Sequence, residues 1–375
     1  MTPTRPEGQA LVAGLSTATG RSEVTRFEPV RRALEGAGRA AVYLFWTGCL
    51  LGAVLLFAIQ ALTMPLSLRH GEPGVLVEIP EGATSREIGR ILASGGVIRS
   101  ALLFQWWSRL EGTDASLKAG HYRLDPSMPL PAVLDQLAAG RVAVARTYIP
   151  EGFNLREIAA RLASAGIADE QRFLSLASDE RLVYGSSSPL VEAFGSRPIP
   201  SLEGYLFPDT YDLPVRDEAL AIRTLVARFL QVAEEMHLAE RARAVGMTVH
   251  QVVTLASIVE EEAVRDEERP LIAAVFLNRL ARDMPLQADP TVKYVMPTPR
   301  SRLYYPDLRI DSPYNTYRYR GLPPGPIASP GRASLEAVLQ PAVVDYLYFV
   351  ADRRGGHVFS RTFTQHVRAR RELGY

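Results

Sequence analysis

The sequence predicts an α+β protein that begins with a single transmembrane helix and continues into a small α/β module. A larger, mixed α+β domain follows, in which we expect helices to pack against a mixed sheet. Three observations predict this arrangement. An uncharged apolar stretch starts at residue 40. Residues 79–97 recur without gaps as residues 149–167, and each copy has the pattern of a strand followed by an amphipathic helix. A further amphipathic helix, with three consecutive glutamates, starts near residue 248.

Composition bounds the class of protein before any motif is considered. A length of 375 residues is typical of two or three domains. The charge is balanced, with 42 Lys and Arg against 41 Asp and Glu, so a nucleic-acid partner is not expected. The apolar share of 47% excludes global disorder. The single cysteine, Cys49, excludes an intramolecular disulfide and a cysteine-rich zinc site.

Residues 40–64 are predicted to form the transmembrane helix. No residue between Arg39 and Arg69 carries a formal charge, and a membrane span requires about 20 predominantly apolar residues. Tyr43 and Trp46 lie near the start of this stretch, where aromatic belts form at a membrane surface. The alternative, a buried helix of a soluble protein, would show a polar face, which most of this stretch lacks.

The charges that flank the span predict its orientation. Several arginines precede it, whereas acidic residues follow Arg69. By the positive-inside rule, residues 1–39 form a cytoplasmic tail, which we expect to be largely disordered, and the rest of the chain lies outside. The prediction is therefore a single-pass protein of the inner (plasma) membrane with its main part in the periplasm or an equivalent extracytoplasmic space.

The repeat predicts two strand–helix units. In each copy an Ile-Pro ends an extended run and a capping box starts a helix. The capping pairs are Thr84 with Glu87 and Asn154 with Glu157. Gly96 and Gly166 supply the left-handed stop after each helix. A strand at 119–124 and a helix at 129–139 complete a small module over residues 75–147. This module resembles a LysM domain, which implies either binding of a glycan or a spacer role.

The helix that starts after Thr248 carries the clearest chemical signal. Thr248 and Gln251 form a capping box, and an apolar stripe follows. On a helix Glu261 points away from that stripe, whereas Glu260 and Glu262 flank it on either side. A carboxyl at the edge of an apolar wall has a raised pKa and can serve as a general acid. The alternative is a solvated helix face, which is what a run of glutamates usually forms.

Six sequence segments, in order, resemble the YceG-like family of endolytic murein transglycosylases. They are SLEGYLFPDTYDL (201–213), TLASIVEEEA (254–263), AAVFLNRL (273–280), MPLQADPTVKY (284–294), SPYNTYRYRGLPPGPIASPG (312–331) and YLYFVADRRGGHVFSRTFTQH (346–366). The resemblance covers the chain from about Val75 to its end. It implies a catalytic domain over 148–375.

The implied reaction cleaves the β-1,4 bond between N-acetylmuramic acid and N-acetylglucosamine in nascent peptidoglycan. It leaves 1,6-anhydromuramic ends and stops elongation of the strand. The implied partners are peptidoglycan strands, the membrane and peptidoglycan synthases. Neither a cofactor nor a metal is implied, and the histidine spacing favours no metal site.

By motif, the resemblance implies that Glu260, the first Glu after SIV, is the catalytic acid/base, with Glu262 as the alternative. The family usually has Lys at position 261, and we expect the outward Glu261 found here to be harmless. The implied substrate-binding residues are Glu203, Gln287, Asp289, Tyr314, Asn315, Thr316 and Tyr317. For Asp289 a turn or cap is an equal alternative, and for Glu203 a structural ion is.

Two other functions are considered. A non-catalytic, LysM-like scaffold of the wall-synthesis machinery would bind peptidoglycan without cutting it. A pyridoxal-phosphate lyase would need a Schiff-base lysine, and the sequence contains only Lys118 and Lys293, both on the outer side of the span.

Overall fold

The computed structural model describes residues 24–65, 74–185, 188–194, 201–298, 300, 302–352 and 354–375. Side chains are described from residue 41 onward, apart from that of Leu62. The chain forms two compact units, Met1–Pro65 and Leu66–Tyr375, each of which is described by itself.

The first unit is built on one long helix, α1 (Val24–Thr63). Its segment Ala41–Ala61 has a mean hydropathy of 2.2 and is the one straight helix among the described residues that is long and apolar enough to cross a membrane. The helix also includes residues 24–39, which we expected to lie in a disordered tail. Once an apolar helix is nucleated, adjoining residues such as the good helix formers Arg, Ala and Glu extend it at little cost. Residues 1–23 of the expected tail lie outside the described residues.

The second unit begins with five short elements around one apolar cluster. They are β1 (Val75–Ile79), α2 (Ser85–Ser94), α3 (Ala101–Leu110), β2 (Gly120–Leu124) and α4 (Leu130–Ala139). The two strands pair antiparallel. The capping box at Thr84 is present, and Gly96 and Gly140 adopt the left-handed conformation expected after α2 and α4. Helix α3 is an element that the sequence patterns did not predict. Its Phe104 packs in the centre of the cluster.

The larger part of the second unit is mostly helical. Its strands are β3 (Val144–Tyr148), β4 (Thr210–Pro214), β5 (Tyr348–Ala351) and β6 (His357–Ser360). Its helices are α5 (Leu155–Ser164), α6 (Glu170–Ala177), α7 (Glu180–Tyr184), α8 (Pro189–Phe194), α9 (Glu218–Glu235), α10 (Leu238–Ala244), α11 (Val249–Glu262), α12 (Arg269–Leu280), α13 (Asp289–Val295), α14 (Arg332–Leu339) and α15 (Phe363–Leu373). The structure is thus of mixed α and β composition, as expected.

The expected mixed sheet is not found among the described residues. Strand β3 pairs antiparallel with β4, and β5 pairs antiparallel with β6, so each sheet has two strands. Strand positions follow from local patterns, but their pairing partners depend on contacts that are distant in sequence. The pairing of β3 with β4 also joins residues from Val144 onward to the larger part, a few residues before the boundary expected at 147/148.

Helix α11 forms the centre of the larger part. Its Thr248 capping box is present, and every residue from Val252 to Glu260 is buried. Near its start, Tyr205 lies with its hydroxyl 2.7 Å from Nδ1 of His250, and Nε2 of His250 lies 2.8 Å from the carbonyl of Pro324. These bonds fix the Pro- and Gly-rich loop 321–331 against α11, so that the loop reaches the glutamates at the end of this helix.

Candidate active site

The candidate site lies at the C-terminal end of α11, which carries Glu260, Glu261 and Glu262. The helix ends at Glu262 because Ala263 adopts an extended conformation. The end of a helix carries a partial negative charge, so three carboxylates there destabilise one another unless neighbouring groups compensate. The three glutamates differ in their burial and in the groups that contact their carboxyl oxygens.

Both carboxyl oxygens of Glu260 have hydrogen-bond partners within the fold. Its Oε1 accepts a hydrogen bond of 2.9 Å from Nη1 of Arg269, and its Oε2 accepts one of 2.9 Å from the backbone N–H of Gly331. Arg269 is itself tied to Ser334 and Asp266. The side chains of Arg269 and Glu260 are only 9% and 5% exposed. Both carboxyl oxygens of Glu260 are therefore engaged within the fold, one by a buried guanidinium and the other by a backbone N–H.

A second carboxyl, from Glu151, lies beside this pair. A side chain placed at Gly331 would overlap the carboxyl group of Glu151, so only glycine allows this approach. Partial burial, followed by the charge of Glu260, raises the pKa of Glu151. Sequence reasoning missed both Glu151 and Arg269. The repeat offered one signal, since its two copies share an Ile-Pro-Glu-Gly segment, but nothing in the sequence indicated where that segment packs.

Glu262 has the character of an acid. It is half-buried. Burial, followed by the charge of Asp289, raises the pKa of Glu262 to about 8. A carboxyl with this pKa carries its proton at neutral pH. The prediction that a glutamate at the edge of the apolar stripe has a raised pKa therefore applies to Glu262, whereas Glu260, on the other edge, is fixed by Arg269.

Asp289 and Gln287 are exposed, and the charge of Asp289 acts on Glu262. Asp289 opens α13, and its Oδ1 accepts a hydrogen bond of 2.6 Å from the hydroxyl of Tyr317. Gln287 has a φ of 51°, a conformation that costs a residue with a side chain about 1–2 kcal/mol. Its backbone is held there by the bond from its N–H to the carbonyl of Thr316. Strain of this kind is typical of functional sites, where the surrounding structure maintains it.

The segment Tyr314–Tyr317 divides into buried and accessible residues. Asn315 is fully buried and bonds to the carbonyls of Leu308 and Ile310. Thr316 is also buried, and its hydroxyl accepts the N–H of Ala288. Both therefore use their polar atoms to build the site, so the expectation that they contact substrate does not fit this geometry. Tyr314 and Tyr317 are half-buried and remain accessible.

The position of Glu203 fits the structural alternative. Its side chain is buried, and Oε1 accepts a hydrogen bond of 3.0 Å from the N–H of Leu155, at the start of α5. The hydroxyl of Tyr294 donates a hydrogen bond of 3.1 Å to Oε2. Burial raises the pKa of Glu203 to about 7. Glu203 thus joins α5 to α13 behind the site.

Glu261 is exposed, as expected, but it does not face open solvent. It lines a cavity of about 540 Å³ together with the loop after β3 and the side of α13. A side chain at Gly152 would lie 2.8 Å from Oε1 of Glu261, so this carboxylate packs on that loop. The identity of residue 261 therefore sets the charge of a cavity, and the expectation that a change there is harmless is not supported by the geometry.

Comparison with known proteins supports the resemblance that the sequence suggested. Residues 77–372 match the model of the YceG-like family. An endolytic murein transglycosylase of Bacillus subtilis is 34% identical over 330 residues, which cover 86% of this chain and 90% of that protein. One of Streptococcus pneumoniae is 34% identical over 311 residues, which cover 76% of this chain and 55% of that protein.

A solved structure agrees with the sequence comparisons. The crystal structure of a YceG-like protein of Listeria monocytogenes is 35% identical, with a TM-score of 0.54, and the match covers 80% of this chain and all of that one. The family model covers well over half of the chain, and the Bacillus relative matches over nearly its whole length. The chain therefore belongs to the YceG-like family.

Proposed function

We propose that the protein is a membrane-anchored endolytic lytic transglycosylase with Glu262 as its acid/base. Its substrate is the β-1,4 bond between N-acetylmuramic acid and N-acetylglucosamine in nascent peptidoglycan. The observation that carries the proposal is the half-buried carboxyl of Glu262, with a pKa of about 8, close to the exposed Asp289 and the half-buried Tyr317. Gln287, also exposed, lies two residues before Asp289. The names of the relatives supply the substrate class and reaction.

The proposed reaction requires one acid/base group and no water. Glu262 donates its proton to the glycosidic oxygen while the bond from that oxygen to C1 of the muramic acid breaks. The resulting carboxylate then takes the proton of the C6 hydroxyl of the same sugar, and the C6 oxygen forms a bond to C1. The products are a 4-hydroxyl on the leaving sugar and a 1,6-anhydro ring. The C6 hydroxyl is tethered to the reacting sugar, so little entropy is lost in positioning it.

The remaining parts of the chain fit an anchored enzyme. We propose that α1 holds the protein in the plasma membrane with the larger unit on the outer side, close to growing strands and their synthases. The two strands and neighbouring helices of residues 75–147 support a LysM-like module that binds or positions glycan. Tyr314 and Tyr317 present aromatic rings on which a sugar can stack, and we retain them with Gln287 and Asp289 as substrate contacts.

The direct test is product analysis with the full-length protein in detergent and purified peptidoglycan. We expect internal fragments that end in 1,6-anhydromuramic acid, detected by mass spectrometry. Fragments with reducing ends would contradict the proposal and indicate a hydrolase with two working carboxyls. A folded protein that binds strands and cuts none would support the scaffold alternative.

The pKa of Glu262 predicts how the rate depends on pH. Because the protonated form is the active one, kcat/KM should fall by about tenfold for each pH unit above about 8. Asp289→Asn removes the neighbouring charge that helps to raise this pKa, so the fall should begin at lower pH in that variant. A rate that increases from pH 6 to pH 9 would contradict the assignment of Glu262 as the acid.

The strained backbone of Gln287 predicts a separation of stability from activity. Gln287→Gly relieves a strain of about 1 kcal/mol, so the melting temperature should stay the same or rise. If the side chain binds sugar, KM for glycan strands should nevertheless increase. Asp283→Gly is the matched control, because Asp283 is exposed and has a φ of 51°. Among the described residues its side chain contacts only Arg320, in a surface salt bridge. An unchanged KM in Gln287→Gly would remove Gln287 from the site.

A further inference from the structure

The cavity that Glu261 lines is distinct from the proposed sugar contacts but lies directly beside them. Its volume of about 540 Å³ is in the range of small-ligand sites. Glu262, Gln287, Asp289 and Tyr317 are not among the residues that line it. Glu261 and Pro290, which do, are the chain neighbours of Glu262 and Asp289. A ligand in this cavity would therefore lie next to the scissile bond without occupying its place.

The wall of the cavity carries charges of both signs that have no direct partners. Arg156, Lys293 and Glu261 all line it. These side chains make no hydrogen bond or salt bridge with any residue that the structure describes. Two further charged residues, Glu151 and Glu157, also line the cavity, and Glu157 is occupied by the capping box of α5. Lys293 is half-buried, and Arg156 and Glu261 are exposed at the cavity wall, so all three are open to a ligand that enters the cavity. The cavity therefore has room for a ligand with both an anionic and a cationic group.

The surroundings of Glu261 favour a cation beside its carboxyl group. Desolvation, followed by the charges of Glu157 and Glu260, raises the pKa of Glu261 to about 7, and the charge of Lys293 offsets only part of this shift. An ammonium group near this carboxylate would favour its ionised form and remove the cost of placing it beside two other acids. Arg156 and Lys293 supply the complementary positions for a carboxylate. The rings of Phe153 and Tyr294 provide apolar contact for an aliphatic chain between the two ends.

We propose that this cavity binds the charged end of the stem peptide that peptidoglycan carries on its muramic acid, with the side-chain ammonium of a diamino acid at Glu261 and a peptide carboxylate at Lys293 and Arg156. This inference rests on the proposed function, because that function places a muramic acid at Glu262. The lactyl group of that sugar carries the peptide, so the peptide and the reacting bond belong to neighbouring positions on the protein. The enzyme would accordingly prefer strands with free, uncrosslinked stem peptides.

The test compares two substrates that differ in the side-chain amines, which are ammonium groups in one and neutral amides in the other. One is peptidoglycan strands with free side-chain amines, and the other is the same strands after chemical acetylation of those amines. For the full-length wild type in detergent, acetylation should raise KM by about fivefold to tenfold, the effect expected for loss of one partly desolvated ion pair. In Glu261→Gln this difference should shrink to less than about twofold. The ratio of the KM values for the two substrates is informative because both substrates are cleaved by the same chemical step at Glu262.

Matched variants separate this effect from general loss of function. Glu170→Gln makes the same change at an exposed glutamate that lines neither site, and it should keep the wild-type ratio. Lys293→Met should instead remove the difference between strands with free and with amidated peptide carboxylates. Equal KM values of the wild type for free and acetylated strands would overturn the inference, as would an unchanged ratio in Glu261→Gln.

Binding measurements make the inference independent of cleavage. If no substrate yields anhydro ends, the proposed function fails, and the dissociation constants for free and acetylated strands then decide about the cavity. Tighter binding of the free strands by the wild type, lost in Glu261→Gln, would support the stem-peptide site. Equal dissociation constants would overturn it.

Discussion

Glu262→Gln is expected to lower the rate of anhydro-end formation by about a hundredfold to ten-thousandfold, the range typical of removing a general acid/base. Glutamine keeps the shape of the side chain but can neither give a proton to the glycosidic oxygen nor take one from the C6 hydroxyl. The loss should appear in kcat with little change in KM, because the exchanged group acts on the reacting bond. The measurement is the rate of anhydro-ended product by mass spectrometry at saturating substrate.

The fold of Glu262→Gln should be intact. Glu262 is half-buried and its raised pKa shows that its charged form is disfavoured in the folded state, so a neutral isostere should not lower the melting temperature. A carboxyl whose pKa is raised in the folded state lowers the free energy of unfolding as the pH increases from about 5 to 8. Glutamine cannot ionise, so the variant should not show this decrease. Wild-type rates in this variant would move the acid/base role to another carboxyl, with Glu260 and Glu151 as the first to test.

Local patterns in the sequence predicted local structure well. The capping boxes at Thr84, Asn154 and Thr248 are all present, and each marks the start of a helix, because the bonds that define them join residues three apart. Gly96 and Gly166 end their helices in the left-handed conformation for the same reason. The resemblance to the YceG-like family also depended on contiguous segments, and the family comparison confirmed it.

The different surroundings of the three glutamates were not predictable because they depend on distant segments. Helical geometry placed Glu260 and Glu262 symmetrically about the apolar stripe and could not separate them. The separation comes from Arg269, beyond the end of α11, and from the N–H of Gly331, which the loop 321–331 brings to Glu260. The burial of Asn315 and Thr316 was hidden in the same way, since their partners lie outside their own segment.

The buried pair of Glu260 and Arg269 carries the largest expected effect on stability. Glu260→Gln leaves the guanidinium of Arg269 buried without its full counter-charge, and Arg269→Met leaves the carboxylate without its cation. Each single variant should lower the free energy of unfolding by about 3–5 kcal/mol, the range for breaking a buried ion pair from one side. Far-ultraviolet circular dichroism of the detergent-solubilised protein during urea denaturation measures this change.

A double variant distinguishes an ion pair from two independent losses. Glu260→Gln with Arg269→Met removes both charges, so its cost should be clearly smaller than the sum for the two single variants, with a coupling of about 1–3 kcal/mol. Additive losses would contradict a structural pair.

The activity of Glu260→Gln is a second test of the role of Glu260. If Glu260 only holds the loop 321–331 in place, Glu260→Gln should form anhydro ends at temperatures where it is folded. Its activity should then disappear at the temperature at which it unfolds. A Glu260→Gln variant that is folded but inactive would instead make Glu260 a partner in the chemistry. Such a variant would show that the fold does not need the charge of Glu260, whereas the reaction does.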